Sequence, residues 1–388
     1  MLLRRCALVT LEPRERIDFD LLDLVEGGGG LAMRSEWVAT VPHAAREIGV
    51  SAAEAMALGE IPPTAWIEIE ALEKRHPREL LDGLVAKGLL VIQGSTEDTR
   101  DEVVRRTGWR CAAATLHYTS RWHGVDTEAV QRQLSEQYGD ALLDKLGPAP
   151  PTVRERTTRD RRIPLAAAKP TPLDTLLDRR VTCRNFDATR ALGAGEFAAV
   201  LYRAFGARAV DDFAPGVQLL KKGVPSAGGL HPTEAYLLVQ RVDGIAPGLY
   251  HYHAVDHALE PMRLLSADEA AVLARTFVGS QAYFLDAPVF VIPVTRFRRN
   301  FWKYRNHAKA YRALVLDVGH LSQTMYLAAT ELGLAAFITA AVNEVDIEQA
   351  FGLDPLEEGP LAVCGFGIRA GERNEVEFDP LHAVWKDG

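Results

Sequence analysis

"HAKAYRALVLDVGHLSQTMYLAATELGL", residues 307–334, is a helix-length run with almost no polar face. The pattern predicts a helix over roughly 307–332, stopped by Gly333 and buried all round rather than laid on a surface. Gly319 in its middle costs about 1 kcal/mol against alanine, which close packing would explain. A chain of 388 residues suggests two domains, and one of them alone is too small to cover such a helix. A second copy would cover it, so a homodimer is expected.

Around this helix the chain alternates between helix and strand. Helices are predicted at 172–179, 195–205 and 266–276, the last with Ser266 and Glu269 spaced as a capping box. Strands are predicted at 234–241, 248–253, 288–295 and 361–368. Thr171 before Pro172 reads as an N-cap and opens this domain, 171–388. Before it, residues 126–146 read as a polar helix. "GPAPPTVRERTTRDRRIPLAAAKPTP" (147–172) is Pro-rich and charged and cannot bury a core, so 126–170 is helix plus linker.

Residues 1–125 read as a small mixed domain. "RRCALVTL" and "SEWVATVP" look like strands separated by the Gly27–Gly30 loop, and a helix near 51–58 follows. "TAWIEIEALEKRH" is a second helix. "PRELLDGLVAKG" is a third, with Gly88 at its C′ position, and "LLVIQ" is then a strand. Helix, helix, strand is the order of a winged helix. Its candidate recognition helix sets Glu79 and Asp82 against Arg78 and Lys87, which suits peptide binding, dimer formation or a structural appendage better than phosphate reading.

The net charge of −8 argues against a general nucleic-acid binder. Four scattered cysteines without a CxxC pair leave no zinc-ribbon or thioredoxin signature, no metal is expected, and a reducing cytoplasm is implied. The apolar run at the N-terminus is too short and too soon charged for a signal peptide, and no stretch is long enough to span a bilayer.

Four stretches carry chemistry. In "DRRVTCRNF" (178–186), Arg179, Arg180 and Arg184 surround Thr182 just past a helix end; this is either a phosphate site or a solvated basic turn. "PSAGGLHPTEAYLLV" (225–239) enters a strand through residues without bulk, as either a tight turn or a backbone surface for a flat ligand. Gln323 is a polar side chain on the apolar helix that needs a partner, in the core or on a ligand. Finally, "FITAAVNEVDIEQAFGL" places small residues Thr339, Ala340 and Ala341 before a helix, and "LAVCGFGIRAG" closes a strand with Arg369.

Together these stretches resemble the nitroreductase superfamily of flavin mononucleotide (FMN) enzymes over about 171–370, and within it the azoline-oxidising, SagB-type peptide dehydrogenases. The resemblance implies an α+β fold, a mixed sheet around a long buried helix, preceded by the winged-helix-like domain. It places Arg180, Thr182 and Arg184 near the flavin phosphate, ribityl chain or pyrimidine edge, with Arg369 reaching the phosphate. Pro225, Ser226, Ala227 and Gly228 would lie along the isoalloxazine of a partner subunit, Gln323 would touch the flavin, and the Thr339 and Ala340 amides would face its N5/O4 edge. Val181, Thr324 and Ala341 depart from the usual basic residue, Asn and Gly.

"FWKYRNHAKAYR" precedes the long helix, and Lys303-Tyr304 matches a pair that this branch associates with catalysis. Aromatising a thiazoline or oxazoline removes a Cα proton and a Cβ hydride, so a base is needed, and lysine with a tyrosine relay can supply it. The other reading makes Lys303 one member of a basic surface run with Arg296, Arg298, Arg299 and Arg305. The resemblance thus implies a dehydrogenase maturing a ribosomally made precursor peptide, with a cyclodehydratase as a further partner. Two alternatives stay open: an FMN reductase of nitroaromatic, quinone or dehydroamino-acid substrates using NAD(P)H, and a non-enzymatic flavin-sensing regulator. No GxGxxG nicotinamide fingerprint is present.

Overall fold

A computed structural model describes residues 1–138, 147–305 and 307–386. Strand β1 (Leu2–Arg5) is followed by a long hairpin, β2 (Thr10–Phe19) and β3 (Leu31–Val41), with the short helix α1 (Leu21–Val25) at its tip; β4 (Arg46–Val50) pairs with β3. The strand expected over 4–11 is thus split, its first part in one sheet and its last residues in another. Helix α2 (Ala52–Glu60) begins at Ser51, whose hydroxyl accepts from Glu54 N while Glu54 accepts from Ser51 N. Strand β5 (Ile67–Glu68), α3 (Ile69–Leu72), α4 (Arg78–Ala86) and β6 (Leu90–Ile92) follow, and β1 pairs with both β5 and β6. The helix expected over "TAWIEIEALEKRH" shrinks to α3 because Ile67 and Glu68 are drawn into pairing with β1. Gly88 takes the left-handed conformation expected of it, φ 73°.

Two helices, α5 (Thr96–Thr107) and α6 (Cys111–Thr119), escape the apolar pattern because α5 is mostly polar. They tie the first part of the chain to the second. Trp109, between them, donates its indole N–H to Leu356 O (2.8 Å) and packs among Phe297, Phe301 and Tyr311. This core spans the boundary expected near residue 125. Helix α7 (Thr127–Tyr138) realises the first part of the polar helix expected over 126–146; the rest lies outside the described residues. Residues 147–170 are exposed throughout.

The second part begins with α8 (Pro172–Arg179), capped by Thr171 and Asp174, then α9 (Ala194–Ala204) and the hairpin β7 (Ala207–Ala214), β8 (Val217–Lys222). After it come β9 (Thr233–Val239), β10 (Gly248–His253), β11 (Ala258–Leu264), α10 (Ala267–Phe277), β12 (Val289–Arg296), α11 (Phe297–Tyr304) and α12 (Lys309–Glu331). Strand β13 (Ala335–Thr339), helix α13 (Glu344–Phe351), β14 (Glu358–Pro360) and β15 (Val363–Gly367) complete it. The sheet runs β11-β10-β9-β12-β15-β13, with β14 also on β12, and these pairings are antiparallel. The mixed sheet expected from the resemblance is antiparallel in all its ladders; among the described residues, the one parallel pairing on it is the isolated bridge from Thr182 to Ala336 of β13.

Strand β12 is an unbroken apolar run because both sheet faces are covered. Val289 and Val291 point to Leu321, Met325 and Ala329 of α12, whereas Phe290 and Ile292 point to Phe277 of α10 and Ile347 of α13. Helix α12 is not buried all round, contrary to the sequence expectation. Val315 and Leu316 are 53% and 65% exposed, and Gly319, His320 and Gln323 are exposed on the same side. Nothing lies within 4 Å of a Cβ added at Gly319, so no close packing inside this chain explains that glycine.

Where α6 and α13 meet, Arg121 pairs with Glu348 at 2.6 Å, both side chains being buried. Burial pushes the Glu348 carboxyl up to about 7 despite Arg121, and burial pulls neighbouring His117 down to about 3. A raised carboxyl contributes stability below its ordinary 4.5 that is lost as pH rises through about 7. His117 does the reverse, its contribution being lost as pH falls from its ordinary 6.5 towards about 3. Comparing Glu348→Gln with wild type cancels His117. The variant is expected to gain on wild type by up to ~3 kcal/mol as pH rises across the Glu348 window, read from melting temperatures. A pH-independent difference would refute this.

Candidate active site

Helix α12 is the spine of the site. Towards its N-terminal half, Asp317 is buried and grips the 225–229 loop: Ser226 Oγ donates to Asp317 Oδ2 at 2.5 Å, and Ala227 N donates to Oδ1 at 3.2 Å. Burial pushes the Asp317 carboxyl up, and these two donors pull the other way. His231 N then donates to Ser226 Oγ at 3.0 Å, closing the loop on itself. Pro225 and Gly228 stay exposed, while Ser226 and Ala227 are half-buried.

Gly228 has φ 62°, and a Cβ there would fall 2.5 Å from Tyr304 Oη and 2.7 Å from Lys303 Nζ. Lys303 Nζ approaches Gly228 O to 3.5 Å. The positive φ therefore favours glycine here, and the tips of two α11 side chains come up against it. Lys303 is exposed and Tyr304 half-buried in the single chain.

Nine residues beyond Asp317 on α12, Tyr326 forms a second node. Its hydroxyl meets Thr182 Oγ1 at 3.0 Å and accepts from Ile338 N at 3.1 Å, and the Arg180 guanidinium lies 5.3 Å from its ring centre. Arg180 and Thr182 are thus brought together as the motif implied. Val181 turns into the core, which leaves Arg179 facing out. With Arg369, Lys386 and Thr330, Arg179 lines a cavity of about 440 Å³. Arg179 and Lys386, with Arg369 held by Glu377, are a cationic donor set that fits a phosphate dianion, while the Thr330 hydroxyl is already given to Tyr326 O.

Arg184 does not join this cavity. Its N–H donates to Glu377 Oε1 (2.6 Å), its guanidinium donates to Val376 O (2.9 Å), and it lies over the Tyr283 ring. Buried Glu377 also accepts from Asn185 N and Nδ2, pairs with Arg369 and accepts from Trp385 Nε1. Burial alone would raise the Glu377 carboxyl, but these donors hold it below its ordinary range. Gln323 is exposed, not a core glutamine, and sits between the two nodes. Thr339 bonds Gln281 Oε1 at 3.2 Å, and Ala340 beside it is exposed.

Sequence reasoning missed Asp317, Tyr326, Glu377 and Lys386. Asp317 could have been found as the acid inside an apolar helix. Glu377 offered no signal, because Arg184 and Asn185, whose N–H groups it accepts, lie more than 190 residues away in sequence.

Residues 177–368 match the nitroreductase family, and this part of the chain is a nitroreductase-family domain. Over 162 residues the chain is 32% identical to the trifolitoxin-processing protein TfxB of Rhizobium leguminosarum bv. trifolii, covering 42% of this chain and 43% of that protein. Over 153 residues it is 28% identical to the microcin B17-processing protein McbC of Escherichia coli, covering 38% of this chain and 54% of that one. The chain thus spans about half the length of these two relatives. Among solved structures, a chain of the E. coli microcin synthetase McbBCD complex with truncated pro-MccB17 bound is similar at 21% identity and a TM-score of 0.49, over 71% of this chain and 94% of that one. Among the described residues no helix is long and apolar enough to cross a membrane, and no cluster of three or more His, Cys, Asp or Glu could hold a metal.

Proposed function

We propose that this protein is an FMN-dependent dehydrogenase that oxidises azoline rings in a ribosomally made peptide. The observation that carries the reading is the meeting of Lys303 and Tyr304 with the Gly228 backbone, since it sets an amine and a phenol on the small-residue loop. That two relatives are named as processing proteins of trifolitoxin and microcin B17 supports a peptide substrate. Bound flavin would supply a two-electron acceptor for the Cβ hydride and pass the electrons to dioxygen. Lys303 takes the Cα proton, and the Tyr304 hydroxyl steers or relays it. Asp317 fixes the loop through Ser226 and Ala227, Arg179, Arg369 and Lys386 hold the phosphate, and Arg180 stays over the Tyr326 ring beside them.

The separation of the loop from the phosphate cavity supports a dimer. From Asp317 to Thr330 along α12 is roughly 20 Å at 1.5 Å per residue. One chain therefore places its loop well away from its own phosphate cavity, and each loop would serve the partner's flavin across the exposed α12 stripe. Leu316→Glu, within that stripe, is expected to give a monomer that loses flavin, seen by light scattering and absorbance. A flavin-retaining monomer would refute the dimer. The reading itself is tested on the purified protein: FMN released at about one per chain, and flavin bleached anaerobically by a thiazoline peptide. A colourless protein that takes up no flavin overturns it, and bleaching by NAD(P)H but by no azoline selects the reductase alternative.

A further inference from the structure

A second cavity, of about 480 Å³, opens between the β7–β8 turn at Gly216 and Val217 and helix α11. Its α11 wall is Arg298, Arg299 and Trp302. On a helix, residues four apart share a face, so Arg298 lies beside Trp302, and Arg299 beside Lys303. The cleft therefore lies on α11 next to Lys303, whose amine meets the 225–229 loop.

Its charges do not cancel. Arg299 donates Nε to Leu230 O (3.1 Å) and Nη2 to Gln218 O (2.6 Å), backbone carbonyls that leave its full charge in place. Arg298 is exposed and makes no ion pair among the described residues. Arg296, at the rim, is answered by Glu234 at 2.9 Å. Of the two acids lining the cavity, Glu357 is taken by Arg106 at 2.5 Å, which leaves Glu358, its carboxyl pushed up by burial, as one acid against Arg298 and Arg299. Trp302 adds an indole that is 49% exposed. Two guanidinium groups against one acid, beside an open aromatic face, leave a net positive cleft that suits carboxylates carried on a chain with apolar atoms. The overall charge of −8 makes this local cationic cleft stand out and disfavours nucleic acid as its ligand.

We propose that this cleft binds an acidic segment of the peptide substrate, Asp or Glu residues flanking the ring presented at Lys303. The inference rests on the peptide reading above and names the sequence class that the site selects.

The test is binding, so it does not depend on turnover. A short fluorescent peptide with an Asp-Glu run and its Asn-Gln isostere are titrated with the full chain. The acidic peptide is expected to bind on the order of tenfold more tightly at low salt, with the preference fading near 0.5 M salt. Arg298→Gln and Trp302→Ala should each shrink the preference, and Arg298→Glu should reverse it towards a lysine-bearing peptide. Melting curves verify that each variant is folded, and the isostere and salt series on the wild type stand without them. Equal binding of both peptides by wild type overturns the inference. So does a preference that survives Arg298→Gln, or tighter binding of a single-stranded oligonucleotide of equal charge. A protein that prefers the acidic peptide yet oxidises no azoline keeps the cleft and sinks the dehydrogenase reading. One that oxidises azolines but binds both peptides alike does the opposite.

Discussion

Lys303→Ala is expected to lower turnover of a thiazoline peptide by roughly a hundredfold to ten-thousandfold, the usual range for losing a general base. Flavin content and oligomeric state should not change, because Lys303 is exposed and its amine meets the Gly228 carbonyl and the neighbouring Tyr304 ring rather than the core. Tyr304→Phe keeps the ring and removes only the hydroxyl, so a smaller loss is expected. The comparison that decides is anaerobic bleaching: wild type bleaches with the peptide and Lys303→Ala does not. Equal bleaching by both places proton removal elsewhere. A loss confined to KM and relieved by salt would instead make Lys303 part of the basic surface run.

Glu377→Ala is expected to cost about 3–5 kcal/mol, the range for stripping one partner from a buried charged network. The carboxylate serves Arg184 N, Asn185 N and Nδ2, Arg369 and Trp385 Nε1 at once, so its removal orphans several donors together. The melting temperature should fall by roughly 5–15 °C, and flavin retention should fall with it because Arg369 loses its anchor. Glu377→Gln keeps an acceptor for the N–H groups but not the ion pair, so it should lie between the two. A melting temperature within about 1 °C of wild type for Glu377→Ala would refute the role of this clamp.

Much of the architecture was legible before any coordinates. The Thr171 and Ser266 caps, the left-handed Gly88 and the strands over 248–253 and 288–295 are all found where expected, to within a residue at β12. The β7–β8 hairpin and α5 were not legible, since both are largely exposed or polar and carry no apolar period. At the candidate site, the residues of the phosphate stretch and the 225–228 loop were visible as compositional oddities, but their partners were not.

That difference has a physical cause. Caps, turns and amphipathic faces depend on groups within a few residues of one another, so the amino-acid order alone determined them, along with the demand for small residues at the loop. The pairs that make a site join distant positions: Lys303 and Gly228 are 75 residues apart, Thr182 and Tyr326 are 144, and Arg184 and Glu377 are 193. Only the tertiary structure could decide these, because they exist once α12 is pressed against the sheet and both nodes are set along one rigid helix. The same packing decided which side of α12 stays bare. Its sequence looks apolar all round, but the sheet covers one side and leaves Val315, Leu316 and Gln323 facing outward.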